Sequence, residues 1–97
     1  MYAIALLRYR APLEEVLTVS DAHRAYLMGL RDRGLLLVSG PLSPRNDGAL
    51  LLRVPDDGAK ATLDRIRDED PYTKTGMAQY ELLPWAPNLG ADELERL

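Results

Sequence analysis

The chain has 97 residues, enough for one hydrophobic core and too few for two. With 46% hydrophobic and 28% charged residues, its composition is typical of a globular domain and excludes a disordered chain. A net charge of −3 without a cluster of Lys and Arg argues against nucleic acid as a partner. The lack of Cys excludes disulfides and Cys-based metal sites, and it suits a reducing compartment. Apolar segments are too short to cross a bilayer and no signal-peptide leader is visible, so we expect one soluble, cytoplasmic domain over residues 1–97 without a membrane partner.

The first predicted element is a strand from about Tyr2 to Tyr9, whose residues from Ala3 to Leu7 are all apolar. Such a run fits a strand that is covered on both faces. After Pro12 and a short acidic turn, a helix is predicted from Ser20 as N-cap to Gly34 as the C′ residue. Helical spacing predicts its inward residues: Val19, His23, Tyr26, Leu27 and Leu30.

The second predicted strand is Leu35 to Ser39, stopped by Gly40-Pro41. Residues 44–48 are dense in turn formers and predict a hairpin connection to a third strand, Ala49 to Val54. Asp56 or Asp57 is the expected cap of a second helix, with Ala59, Leu63 and Ile66 as its inward residues.

The second helix is expected to end at Asp70, because Pro71 disfavours a helical residue before it. A fourth strand is predicted from Gln79 to Trp85, and the tail of residues 86–97 ends in a short charged helix. The resulting order, β-α-β-β-α-β, predicts an α+β fold: the ferredoxin-like plait, with a four-stranded antiparallel sheet and both helices on one face.

The first three strands are apolar on both sides, whereas a lone plait leaves one sheet face in water. Exposing a large apolar face to water is costly, so we expect this face to pack against the same face of a second copy. The sequence therefore predicts a homodimer. The alternative is that the strands are merely rich in Leu and that the tail folds back over the sheet.

His23 is the only histidine in the chain and lies in the first turn of its predicted helix. The positive end of the helix dipole disfavours the imidazolium form, and a neutral imidazole is what a general base requires. A single histidine on an apolar helical stripe also fits a buried structural residue. Position alone leaves the two interpretations open.

Asp68, Glu69 and Asp70 form an acidic run at the end of the second helix, where the dipole disfavours negative charge. Asp68 and Glu69 are explained by solvation. Asp70 differs, because Pro71 restricts the backbone beside it and Tyr72 can pack over it. We therefore expect Asp70 to be held in place and to orient a histidine or exchange protons.

Ser39-Gly40-Pro41 offers a hydroxyl and a glycine that permits close backbone approach, although a strand ending in a turn explains it equally well. The sequence contains no nucleophile elbow, phosphate loop or dinucleotide fingerprint, and one His without Cys argues against a transition-metal site. We expect neither metal nor cofactor.

Three segments resemble the YCII-related family: residues 21–27 around His23, the Gly34 to Leu42 stretch, and Asp70-Pro71-Tyr72 followed by Lys74-Thr75-Gly76. The resemblance extends to about Trp85. It implies a ferredoxin-like subunit that pairs into a dimeric α+β barrel, and a pocket centred on His23 and Asp70. It also implies proton-transfer chemistry on small, often aromatic-derived molecules, such as lyase, dehydrochlorinase or lactone isomerase reactions.

Two functions are carried forward. In the first, His23 and Asp70 are the catalytic pair of a small-molecule enzyme, and Ser39, Gly40, Pro41, Tyr72 and Arg8 position the substrate. Arg8 is expected to bind the substrate if the substrate is an anion, and to have no role if the substrate is neutral. In the second, the same cavity belongs to a non-catalytic ligand-binding or accessory dimeric module. A cofactor-free oxygenase fits less well, because such sites generally need more aromatic and polar lining than this chain offers.

Overall fold

The fold is a four-stranded antiparallel sheet that carries its two long helices on one face. The computed structural model describes residues 1–43 and 47–97. The strands are β1 (Tyr2–Tyr9), β2 (Leu36–Pro41), β3 (Asp47–Arg53) and β4 (Ala78–Trp85), in the order β2-β3-β1-β4. The helices are α1 (Leu13–Leu17), α2 (Ser20–Asp32), α3 (Ala59–Glu69), α4 (Pro71–Lys74) and α5 (Ala91–Glu95). The α+β class and the ferredoxin-like order are confirmed, and α1, α4 and α5 are short additions.

The core lies between α2, α3 and one face of the sheet. Ala3, Ala5 and Leu7 alternate along the central strand β1 and are at most 1% exposed. The small alanine side chains let the helices approach this strand closely, which suits a close-packed interior. Five helix residues that were predicted to face inward are buried in this core: Leu27, Leu30, Ala59, Leu63 and Ile66.

Both helix caps differ from the sequence prediction. Val19, and not Ser20, is the N-cap of α2, because α1 already turns the chain into the helix; Ser20 instead donates its hydroxyl to the carbonyl of Leu17. Gly58 is the N-cap of α3, in the left-handed region at φ 70°. Neither Asp56 nor Asp57 caps this helix, and Asp56 instead contacts the amino group of Met1 at 2.7 Å.

The acidic stretch after Pro12 is a short helix and not the expected turn. In α1, Val16 is fully buried in the core, whereas Glu14 and Glu15 lie in the first turn, where the helix dipole favours negative charge. Burial of one apolar side chain explains why this segment folds back onto the core.

Strand β2 continues through Gly40 and Pro41, which were expected to stop it. Gly40 pairs with Ala49 and Pro41 with Gly48. Because β2 is an edge strand, the missing N–H of proline does not interrupt the sheet. The predicted hairpin falls partly on residues 44–46, which lie outside the described residues.

The face of the sheet opposite the helices is also apolar. Strand register places Leu51 and Leu83 beside Ile4, and both Ile4 and Leu51 alternate with buried residues of their strands. Val38 and Trp85 lie on the same face and are 54% and 42% exposed. We call these five residues the open sheet face.

The C-terminal segment approaches one end of the sheet. Arg53, at the end of β3, donates hydrogen bonds to the carbonyls of Leu94 and Leu97. Val38, Leu83 and Trp85 nevertheless stay exposed, so the tail does not cover the open sheet face. Among the described residues, no helix has the length and apolar character needed to span a membrane.

Candidate active site

Asp70 lies between α3 and α4. Among the described residues it is the one charged side chain that is buried, and it has no exposed surface. Pro71 takes the first position of α4, so Asp70 adopts an extended conformation (φ −66°, ψ 129°) and caps that helix. Its Oδ1 accepts the N–H of Tyr72 at 2.9 Å, and its Oδ2 accepts the hydroxyl of Tyr80 at 2.5 Å. These donors compensate for the burial of a carboxylate.

His23, in α2, contacts this carboxylate directly. Its Nδ1 lies 2.8 Å from Oδ1 of Asp70. Because an ionised carboxylate only accepts hydrogen bonds, the neutral ring carries its proton on Nδ1 and keeps a lone pair on Nε2. The ring also stacks on Tyr72, with centroids 3.9 Å apart and planes 10° from parallel. Two contacts therefore set the tautomer and the plane of the ring.

Tyr80 completes the network, although it was not among the site residues predicted from the sequence. Burial, together with the charge of Asp70, raises the pKa of Tyr80 above its ordinary value, so its hydroxyl remains a hydrogen-bond donor. A signal was present in the sequence. The alternation along β4 turns Tyr80 inward, and a buried tyrosine hydroxyl needs a hydrogen-bond partner.

A cavity of about 400 Å³ opens beside His23, between α2 and the sheet. His23 lines this cavity, and Nε2 is the ring nitrogen that the contact with Asp70 leaves available. Asp70 itself lies behind the ring and does not line the cavity. Four of the residues expected to position a substrate do line it: Ser39, Gly40, Pro41 and Tyr72. Its other lining residues are Leu7, Tyr9, Ser20, Arg24, Leu27, Met28, Arg31, Leu36, Gly48, Ala49 and Leu50.

Arg8, the remaining residue of the expected site, lies away from the cavity. It alternates with Leu7, which faces the helices, and so Arg8 points to the opposite side of the sheet. There it forms ion pairs with Asp47 at 3.2 Å and with Glu81 at 3.5 Å. Arg8 is therefore not among the residues that line this cavity.

Metal coordination finds no support in the parts of the chain that the structure covers. Within residues 1–43 and 47–97, no three His, Asp or Glu side chains come together as a metal ion requires. What the site does assemble is a nitrogen base with a buried carboxylate on one side and an open cavity beside it. That arrangement suits proton transfer to or from a bound molecule.

Comparisons with known proteins agree with this fold. A family model described as the YCII-related domain matches residues 1–86, while a search of curated proteins finds no match. Among solved structures, the chain is similar to the 5-chloro-2-hydroxyhydroquinone dehydrochlorinase of Burkholderia phenoliruptrix AC1100 in complex with 2,5-dihydroxybenzoquinone. The TM-score is 0.66 at 20% identity, over 90% of this chain and 96% of that chain. Because the family model spans most of the sequence, the chain belongs to the YCII-related family.

Proposed function

We propose that this chain is a small-molecule enzyme in which His23 acts as a general base and Asp70 orients it. The observation that carries the proposal is the 2.8 Å contact between Nδ1 of His23 and a fully buried carboxylate, with the rest of the ring lining a cavity. A base with a fixed tautomer and a fixed plane needs no reorganisation before it accepts a proton. A surface histidine in a loose ion pair lacks both features.

The proposed step moves one proton. Nε2 of His23 takes a proton from a carbon or hydroxyl group of the substrate, and the imidazolium that forms donates Nδ1–H to Asp70. The electron pair of the broken C–H or O–H bond then forms a double bond as a leaving group such as chloride departs, which is an elimination, and the imidazolium releases its proton to water. If instead the proton returns to another carbon, the same pair performs an isomerisation. Either reaction balances without a redox partner, so no cofactor is proposed.

The proposal of lyase-type chemistry draws further support from the structural neighbour, which is a dehydrochlorinase bound to a dihydroxybenzoquinone. We extend to this chain a substrate of similar size, a small organic molecule of the aromatic-derived class. Ser39, Gly40, Pro41 and Tyr72 line the cavity and are the proposed contacts to its body.

Loss of His23 is the main test of catalysis. Wild type, His23→Asn and Asp70→Asn are incubated with halogenated phenols, lactones and small acids, and products and released chloride are measured. Removal of a general base lowers turnover about 10²–10⁴-fold. Arg65→Gln is the control, because Arg65 is exposed on α3 and lies outside the cavity. Equal turnover by wild type and His23→Asn refutes the mechanism.

The second candidate is a binding module that uses the cavity without chemistry, favoured by the apolar side chains that line much of it. It predicts saturable binding of a small molecule that survives His23→Asn, with no product formed by wild type. The same set of variants therefore separates the two functions.

The tautomer of His23 tests the geometry independently of any substrate. As the only histidine, it gives one set of ring signals in two-bond ¹H–¹⁵N spectra. At a pH where the ring is neutral, we expect the proton on Nδ1 and an unprotonated Nε2. A proton on Nε2 contradicts the proposed role of that nitrogen as the base.

The open sheet face supports a homodimer, which we propose as the working form. Val38, Leu83 and Trp85 are exposed there, and a second copy of the same face buries them symmetrically. Leu83→Glu places charges in that interface and is expected to give a monomer by light scattering, whereas Leu89→Glu alters a residue that is 97% exposed and is expected to have no effect. A monomeric wild type refutes the dimer.

Because the chain folds without Cys, we propose the cytoplasm as its location.

A further inference from the structure

We infer that the cavity beside His23 selects a small organic anion, which Arg24 and Arg31 recognise. The inference deepens the proposed function, because it concerns the substrate class of the same site. It does not depend on turnover, since a cavity can bind an anion whether or not His23 acts on it.

The charge of the cavity lining differs in sign from that of the whole chain. The protein has 15 acidic and 12 basic residues, yet the lining contains Arg24 and Arg31 and no Asp or Glu. The nearby negative charge of Asp70 is already shared among three hydrogen-bond donors behind the ring of His23. An anion in the cavity therefore meets two guanidinium groups without an opposing carboxylate on the walls.

Arg31 is held in place by the sheet. One of its terminal nitrogens donates to the carbonyl of Leu37 at 2.9 Å, which ties the end of α2 to the edge strand β2. A guanidinium has five N–H donors, so this bond leaves most of them for a ligand. Leu37 is buried in β2, the same strand that carries Ser39 and Pro41, and both of these residues line the cavity together with Arg31.

Arg24 follows His23 directly in α2 and lines the same cavity. It forms no ion pair with the described residues, and neither does Arg31, although both side chains are exposed. Arg8 differs from these two arginines, because it forms ion pairs with Asp47 and Glu81 on the other side of the sheet. Two guanidinium groups without an ion pair among the described residues thus belong to the lining of the cavity beside the proposed base.

The apolar part of the lining defines the rest of the ligand. Leu7, Leu27, Leu36 and Leu50 line the cavity together with the ring of Tyr9. A volume of about 400 Å³ falls at the lower end of small-molecule pockets, which suits a molecule with one ring. The combination points to an apolar body with an anionic oxygen group, a carboxylate or an acidic enol, and not to an inorganic anion.

A matched pair of probes tests this selectivity. Benzoate and benzamide have the same shape and differ in charge, and their affinities for the ¹⁵N-labelled full chain are measured by chemical-shift titration. We expect benzoate to bind about tenfold more tightly, with shifts at cavity residues, because a hydrogen bond to a charged group contributes more than one to a neutral group. In the double variant Arg24→Gln and Arg31→Gln, we expect the two affinities to become equal. The corresponding double Lys variant retains a preference, and Arg65→Gln behaves as wild type.

Four results overturn the inference: equal affinities in wild type, no binding of either probe, a benzoate preference that persists in the double Gln variant, or displacement of benzoate by an equal concentration of sulfate. The last result marks an unspecific anion patch. His23→Asn separates this inference from catalysis. If it keeps the benzoate preference while no variant turns over any substrate, anion selection stands and the enzyme proposal fails.

Discussion

Replacing Tyr80 with Phe removes a single hydroxyl group from the network around Asp70. The phenol ring is buried and Phe keeps its shape, so packing is preserved. Oδ2 of Asp70 loses the donor that lies at 2.5 Å, while Oδ1 keeps the N–H of Tyr72 and Nδ1–H of His23. The substitution therefore isolates one hydrogen bond to a fully buried carboxylate.

The expected cost follows from the burial of both partners. A hydrogen bond to a charged group contributes about 1.5–3 kcal/mol, and a buried acceptor left without a donor loses this contribution in full. We expect the free energy of unfolding to fall by about 2 kcal/mol in Tyr80→Phe. For a domain of this length, that change corresponds to a decrease in Tm of roughly 10 °C.

Urea denaturation at neutral pH, followed by the fluorescence of the single Trp85, measures the change at one fixed protein concentration. Tyr26→Phe is the matched control, because it removes the same hydroxyl from a neutral acceptor. The hydroxyl of Tyr26 donates to the backbone carbonyl of Ile66 at 2.7 Å. A neutral bond of this kind contributes about 1 kcal/mol, so the control is expected to lose about half as much stability as Tyr80→Phe.

The comparison between the two variants decides the question. If Tyr80→Phe loses less than about 0.5 kcal/mol, or no more than Tyr26→Phe, the bond to Asp70 is not the charge-assisted contact that the geometry indicates. The account of how the protein holds a buried carboxylate behind His23 then fails.

Two further predictions concern pH and backbone conformation. Because burial and Asp70 raise the pKa of Tyr80, the folded state keeps a proton that the unfolded state releases above pH 10. The contribution of this group to the free energy of unfolding is therefore constant below pH 10 and falls by about 1 kcal/mol between pH 10 and 11. Urea denaturation across this range is expected to show a smaller loss in Tyr80→Phe, and an identical pH dependence contradicts the shift. Gly34 follows α2 with φ 76°, and a methyl group in place of its hydrogen would meet open space. Gly34→Ala is therefore expected to lower the free energy of unfolding by about 1 kcal/mol through backbone strain alone. Unchanged stability in the same assay counts against that reasoning.

Local rules account for the parts of the fold that were predicted correctly. The helical spacing of Ala59, Leu63 and Ile66 identified the buried side of α3, because an amphipathic helix has one face to bury. Pro71 ended that helix, and Gly34 took up a positive φ after α2. Each of these outcomes depends on a few neighbouring residues.

Predictions failed where a distant residue competed with a local preference. Asp56 is a good helix cap in isolation, but the amino group of Met1 lies 2.7 Å away and binds it. Gly40 and Pro41 are strand breakers by composition, yet at the edge of the sheet they pair with β3. Neither contact is visible from neighbouring residues.

The candidate site divides in the same way. The sequence by itself determined the β-α-β-β-α-β order and the two apolar sheet faces, and it identified His23 and Asp70 as candidate site residues. Periodicity, proline and a single histidine are properties of the chain and can be read without the fold. Only the tertiary structure decided that the two residues are in contact, that Tyr80 supports them, and that Arg24 and Arg31, in place of Arg8, line the cavity. The physical reason is that a binding site joins elements far apart in the chain, so packing chooses which of several equivalent charges faces the ligand.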